Sequence, residues 1–197
     1  MSFDLPDYTT TLIEAAAFVL ALGYVLLSIR QIVWAWPLMI ASSLLYAVLF
    51  AASKLYGQMG LQGMFVAIAL WGWWQWKFGR KAERPLAVSS LGLRLQLWLI
   101  CAWVAAAFSS AAALGRLTDA AAPWLDAFTT TGSLIAQLLT ARKYVEAWPA
   151  WLIVNAVSVA LFAGQQLWLT ALLYGIFLLL SAVGWAAWRR DAARAAA

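Results

Sequence analysis

Seven apolar runs fill most of this chain, and their length is the feature that decides what it can fold into. A helix needs about 20 residues to cross a hydrocarbon core about 30 Å thick. The runs cover approximately residues 12–29, 33–53, 58–78, 92–113, 125–141, 147–165 and 168–188. In lipid every backbone N–H and C=O must find its partner within the protein, which for single runs of this length means an α-helix. The expected fold is therefore an all-α integral membrane protein with seven transmembrane helices in one transmembrane domain over residues 1–197. Composition agrees: 65% of residues are apolar and 11% charged, against roughly half and a quarter in a soluble domain. Asp4 and Asp7 precede the first run and no Lys or Arg occurs before Arg30, so the basic start of a cleavable signal peptide is missing. The first run is expected to stay in the mature protein.

Several chemistries are excluded by residue type. Histidine is absent and Cys101 is the single cysteine, which removes zinc, haem, iron–sulfur and Cys-His or Ser-His sites in their usual forms. No metal or cofactor is expected. The net charge is +5, but the basic residues sit in short loops between apolar runs, so they answer to a membrane and not to nucleic acid. No Asp, Glu, Lys or Arg occupies the middle of a run, whereas ion-coupled pumps keep carboxylates there. That pattern points to passive movement of a solute and away from an enzyme. Glu14 and Asp126 stand at the starts of runs one and five, where an acid complements the helix dipole.

The clearest loop is Gly79 to Pro85, where charge and proline end the third run, and a weaker break extends from Gly115 to Pro123. The Ala-rich tail from Asp191 to Ala197 is expected to fray. Placing loops alternately on two sides gathers Arg30, Lys77, Arg80, Lys81, Arg84, Arg94, Arg142, Lys143, Arg189, Arg190 and Arg194 on one side, eleven of the 13 basic residues. Lys54 and Arg116 fall opposite. The positive-inside bias then puts the N-terminus outside and the C-terminus in the cytoplasm of an inner membrane.

An internal repeat organises the runs. Arg30, Val33, Ala35, Trp36 and Pro37 recur 112 residues later as Arg142, Val145, Ala147, Trp148 and Pro149. Gly72, Trp73 and Trp76 recur as Gly184, Trp185 and Trp188. Leu matched with Leu means little between two apolar segments, but matched Trp-Pro and Gly-Trp-x-x-Trp do not arise from composition. Each unit holds three helices, so two parallel units need one helix between them, which the run at 92–113 supplies. The expectation is a 3+1+3 arrangement: repeat one over about 12–78, the linking helix, and repeat two over about 125–190, with the solute path between repeats.

Fourteen tryptophans call for an explanation. Trp34, Trp36, Trp124, Trp168, Trp185 and Trp188 lie near run ends and read as an interfacial belt. Trp71, Trp74 and Trp151 lie deeper. In the sixth run Trp148, Trp151, Asn155, Ser158 and Phe162 recur every three or four residues and so share one helix face. An amide at membrane depth turns towards the bundle interior, either as a contact between helices or towards a solute. Gln137 shares a face of the fifth run with Ser133 and Thr130, while its counterpart in repeat one is the apolar Val25. Tryptophan rings, amides and hydroxyls without buried charge suit an aromatic, hydroxyl-bearing solute.

Taken together, Ala141-Arg-Lys-Tyr-Val-Glu-Ala-Trp148, Trp151, Asn155 and Ser158, with Gly72-Trp-Trp-Gln-Trp76, resemble the PnuC family of vitamin transporters. The resemblance covers nearly the whole chain. It implies a seven-helix facilitator for nicotinamide riboside whose substrate is trapped after entry by cytoplasmic phosphorylation. It further implies a substrate site at Trp148, Trp151 and Asn155, joined by Trp71 and Trp74, with Gln137 and Ser158 as additions. Ala147 replaces a common Asn of the family, and Ser42 and Ser43 stand where another Asn is frequent. Those departures leave thiamine and riboflavin open as alternative substrates. The expected partners are a small-molecule vitamin and the lipid bilayer, without nucleic acid; a homo-oligomer is compatible with the sequence.

Overall fold

The apolar runs form helices because nothing inside them breaks the i to i−4 ladder: the helical prolines, Pro37, Pro123 and Pro149, all fall in first turns, where an N–H is not required. The computed structural model describes residues 7–52, 56–81, 84–117, 123–164 and 168–196. Among them are seven helices: α1 (Asp7–Ile29), α2 (Ala35–Ala52), α3 (Tyr56–Phe78), α4 (Leu93–Leu117), α5 (Pro123–Ala141), α6 (Ala147–Gly164) and α7 (Trp168–Ala196). The segments Leu12–Ile29, Leu93–Arg116 and Ala171–Arg194 are long and apolar enough to cross a membrane, and Ala35–Leu49 and Ala147–Leu161 are shorter apolar helices. At 1.5 Å per residue the 18 residues of α2 or α6 reach about 27 Å.

Two compact units divide the chain, one up to Leu86 and one from Ala87. In the first, α2 packs on both α1 and α3; in the second, α4 packs on α5, α5 on α6 and α6 on α7. The helix expected to link the repeats, α4, thus packs within the second unit. Its stripe of Trp103, Ala107 and Ala111 is buried, and Trp103 lies against Gly132 of α5, where a side chain of any size would collide with the indole.

The repeat is reproduced to the level of single hydrogen bonds. α1 ends on Gln31 at φ 56° and α5 on Lys143 at φ 55°, the left-handed residue of a Schellman cap. In one cap Gln31 N donates to Ser28 O at 3.0 Å and Ile32 N to Leu27 O at 2.9 Å; in the other Lys143 N donates to Thr140 O and Tyr144 N to Leu139 O, both at 3.0 Å. A tight turn follows each cap and starts α2 or α6, with Trp36 N on Val33 O and Trp148 N on Val145 O, both at 3.2 Å.

Four expectations need correcting. α7 continues through Ala196, because the tail is built from Ala and Arg, strong helix formers, and Arg194 reaches Asp191 at 3.6 Å. Glu14 lies two turns inside α1, which starts at Asp7, so it does not meet the start of the dipole. The Gly79–Pro85 loop carries a two-residue antiparallel ladder, Arg80 opposite Pro85 and Lys81 opposite Arg84. Trp36 and Trp188 are fully buried and do not belong to the interfacial belt, because Trp36 sits over Gly72 of α3 and Trp188 meets the ring of Trp148 of α6 edge-on. Trp34, Trp124, Trp168 and Trp185 are exposed, as a belt requires. The break before Pro123 falls on 118–122, and Lys54 likewise lies outside the described residues.

Candidate functional site

The second unit places the α6 stripe from its base upward. Trp148, in the first turn of α6, is buried with its six-membered ring over Gly184 of α7 and its face edge-on to Trp188, ring centroids 5.3 Å apart at 86°. Repeat one does the same with Trp36 over Gly72, edge-on to Trp76 at 5.3 Å and 88°. Both indole N–H groups, Trp36 Nε1 and Trp148 Nε1, are buried without an acceptor among the described residues. Trp148 is therefore committed to packing through its ring and has only its N–H left to offer.

One turn up, Trp151 is partly buried, and its Nε1 donates to Thr140 Oγ1 of α5 at 3.2 Å. Thr140 in turn donates to Ala136 O at 2.8 Å. Asn155, one turn further, is 4% exposed and donates from Nδ2 to Ser181 Oγ of α7 at 3.1 Å, while Ser181 donates to Phe177 O at 2.7 Å. The amide thus joins α6 to α7 and keeps its carbonyl oxygen as an acceptor. Ser158 is buried on the same face, and Gln137 is completely buried in α5, one turn before Thr140. The side chain of Phe162 lies outside those described. The structure brings Trp151 to α5 and Asn155 to α7, so the expected stripe is a buried polar seam through α5, α6 and α7.

Trp71 and Trp74 belong to α3 of the first unit. Trp71 is half-buried, whereas Trp74 is 56% exposed in a shallow groove of about 260 Å³ with Leu70, Trp73, Lys77 and Phe78. A second groove, about 420 Å³, runs along α4 beside Leu93, Arg94, Leu97, Trp98 and Cys101.

Two residues, Ser181 and Trp103, escaped the sequence reading, and a third, Glu146, stood in the family motif without a role. Ser181 is the partner of Asn155; its signal is a position on the α7 face of Gly184 and Trp188, with the small Ala69 as its counterpart in repeat one. Trp103 of α4 stacks on Phe128 at 4.7 Å and donates from Nε1 to Phe128 O at 3.0 Å, and α4 has no counterpart to compare. Glu146, just before α6, accepts on Oε1 from Ser90 Oγ at 2.5 Å, Leu91 N at 3.1 Å and Gln96 Nε2 at 3.1 Å. Beside it Lys143 is buried, and desolvation pushes its ammonium below the usual lysine pKa.

Seven helices among the described residues, with apolar membrane-length segments, glycine-seated tryptophans and a buried polar seam, define a polytopic membrane protein. The chain belongs to the family described as nicotinamide mononucleotide transporter, the PnuC family, which its sequence matches over residues 11–190. It is 37% identical over 150 residues to the riboflavin/roseoflavin transporter RibM of Streptomyces davaonensis, a match covering 72% of this chain and 65% of that protein, just under two thirds of its length. It is 27% identical over 173 residues to the nicotinamide riboside transporter PnuC of Escherichia coli, covering 75% and 72% of the two chains. Among solved structures, that of a vitamin B3 transporter PnuC superposes with a TM-score of 0.74 at 26% identity, covering 93% of this chain and 83% of that one.

Proposed function

We propose that this chain is a vitamin uniporter, with riboflavin the first candidate and nicotinamide riboside the second. The observation that carries the transport reading is the polar seam: Thr140, Gln137, Asn155, Ser158 and Ser181 are all buried along the lengths of largely apolar helices. Polar groups at membrane depth are costly unless they pair or face a solute. Trp151 supplies a partly open ring for stacking, Asn155 an acceptor for a hydroxyl or imide donor, and Trp148 an indole N–H. The order of the vitamins rests on identity, 37% to the flavin carrier against 27% to the nicotinamide riboside carrier, and reverses the order read from motifs. Thiamine stands behind both. The absence of a carboxylate from the middle of any apolar run supports movement without a coupled ion, and the family likeness suggests trapping of the product by cytoplasmic phosphorylation. The distribution of basic residues supports an N-terminus outside and a C-terminus in the cytoplasm.

Proteoliposomes decide between the readings. Riboflavin counterflow that persists after collapse of proton and sodium gradients is expected. Saturable exchange of nicotinamide riboside without riboflavin would favour the second candidate, and accumulation above the outside concentration without a kinase would overturn uniport.

A further inference from the structure

Glu146 lies outside the seam, yet one of its carboxylate oxygens accepts three hydrogen bonds. The segment Val88–Leu91, which leads into α4, runs alongside the α5–α6 connection. Ser89 N donates to Lys143 O at 3.1 Å and Val145 N donates to Ser89 O at 3.0 Å, a parallel bridge between Ser89 and Tyr144. Glu146 closes the same contact from its side chain, taking Ser90, Leu91 and Gln96 on Oε1. Gln96, in the first turn of α4, also donates to Leu91 O at 2.7 Å. Beneath the clasp Leu91 packs with Leu139 of α5 and Ala147 of α6. Glu146 itself caps α6, its carbonyl accepting from Ala150 N at 3.3 Å.

We propose that Glu146 is a positioning residue for the substrate seam: it ties the entry of α4 to the first turn of α6 and so fixes the orientation of Trp151, Asn155 and Ser158 without touching substrate. The proposal rests on the transport reading above. Two observations carry it. The side chain reaches partners 50 to 56 residues earlier in the chain, so it couples elements that local structure leaves free. And the device belongs to repeat two alone: the counterpart of Glu146 is Trp34, which is 70% exposed and holds nothing of this kind. The repeat that bears the Asn155 amide is the repeat that bears the clasp.

The carboxylate works through one oxygen. Oε2 is buried and accepts nothing from the described residues. Glutamine, with one carbonyl oxygen at the same reach, should therefore keep the clasp, and alanine should lose it. Two measurements on purified, folded protein test this. Amide hydrogen exchange at Ser89 and Val145 reads the clasp with no reference to transport, and equilibrium binding of riboflavin and nicotinamide riboside reads the seam. Glu146→Ala should raise exchange at both amides and weaken binding of the preferred vitamin by about tenfold, a change of about 1.4 kcal/mol. Glu146→Gln should restore both to within about threefold of the parent. Faster exchange in Glu146→Ala with unchanged affinity would overturn the proposal and leave a mere staple. Unchanged exchange, or no rescue by glutamine, would overturn the one-oxygen clasp. A parent protein that binds none of the vitamins defeats the transport reading instead, which the exchange data would then show separately from the clasp.

Discussion

Trp148 rests directly on Gly184, and 112 residues earlier Trp36 rests on Gly72 in the same way, so a buried indole replaces the side chain that each glycine lacks. A β-carbon built on either glycine would run into the ring, and the ring cannot swing away because Trp188 or Trp76 meets it edge-on. Close packing of this kind tolerates little extra volume.

Gly184→Ala should therefore destabilise the protein by about 1–3 kcal/mol, read as a fall in melting temperature in detergent. Gly175→Ala is the control on the same helix, since nothing lies within 4 Å of a β-carbon there. Alanine is the better helix former by about 1 kcal/mol, so this variant should be neutral or slightly more stable. Equal behaviour of the two variants would show that the ring does not hold the glycine surface.

Trp188→Phe should also lower the melting temperature. Its indole is wholly buried against Trp148, and a smaller ring leaves a void whose cost is typically about 1–3 kcal/mol. Trp185→Phe, three residues away and exposed, should change the melting temperature little. A stable Trp188→Phe variant would return Trp188 to the interfacial belt.

The sequence declares its helices more openly than its faces. All seven runs are helices with ends within a few residues of those read from apolar length, except where α1 and α4 extend further and α7 runs on through alanines. Trp36 and Trp188 could not be placed the same way, because a tryptophan near a helix end looks identical whether its face turns to headgroups or to the neighbouring helix. The repeat held the clue, since Trp36 and Gly72 recur together as Trp148 and Gly184. Asn155 and Gln137 were legible as polar groups in apolar runs. Glu146 was legible only as a letter of the motif, because its role lies in Ser90, Leu91 and Gln96, more than 49 residues upstream, and no period or spacing links them.

Lys143 and Gln31 occupy the same left-handed cap position, but only Lys143 also buries an ammonium. A β-carbon at positive φ costs about 1 kcal/mol, so Gln31→Gly should be stabilising by up to that amount at every pH. Lys143→Met keeps the backbone and removes the buried charge. Because burial lowers the pKa of Lys143 in the folded protein, the unfolded chain binds more protons between that lowered value and the ordinary one. Parent stability therefore rises as pH climbs through this interval. Lys143→Met should be more stable than the parent at neutral pH, with the gap closing as the solution becomes alkaline. A gap that widens with pH would mean that the ammonium is favourably held.

Asn155 and Trp151 separate binding from packing. Asn155 Nδ2 is bonded to Ser181, whose own hydroxyl is spent on Phe177 O, so Asn155→Leu leaves Ser181 satisfied and costs the bundle only about 1 kcal/mol of interhelical bonding. Ser181→Ala removes the same bond but strands the Asn155 amide, and should destabilise by about 1–3 kcal/mol. If Asn155 serves the solute, Asn155→Leu should weaken vitamin binding more than Ser181→Ala does, although it disturbs the fold less. Trp151→Ala leaves Thr140 bonded to Ala136 O and should weaken binding about tenfold through the lost stacking surface, worth ~1–2 kcal/mol. The measurement is ligand affinity beside melting temperature for all three variants. If affinity simply follows melting temperature, with Ser181→Ala the weakest binder, the Asn155 amide is interhelical bonding alone and the solute binds elsewhere.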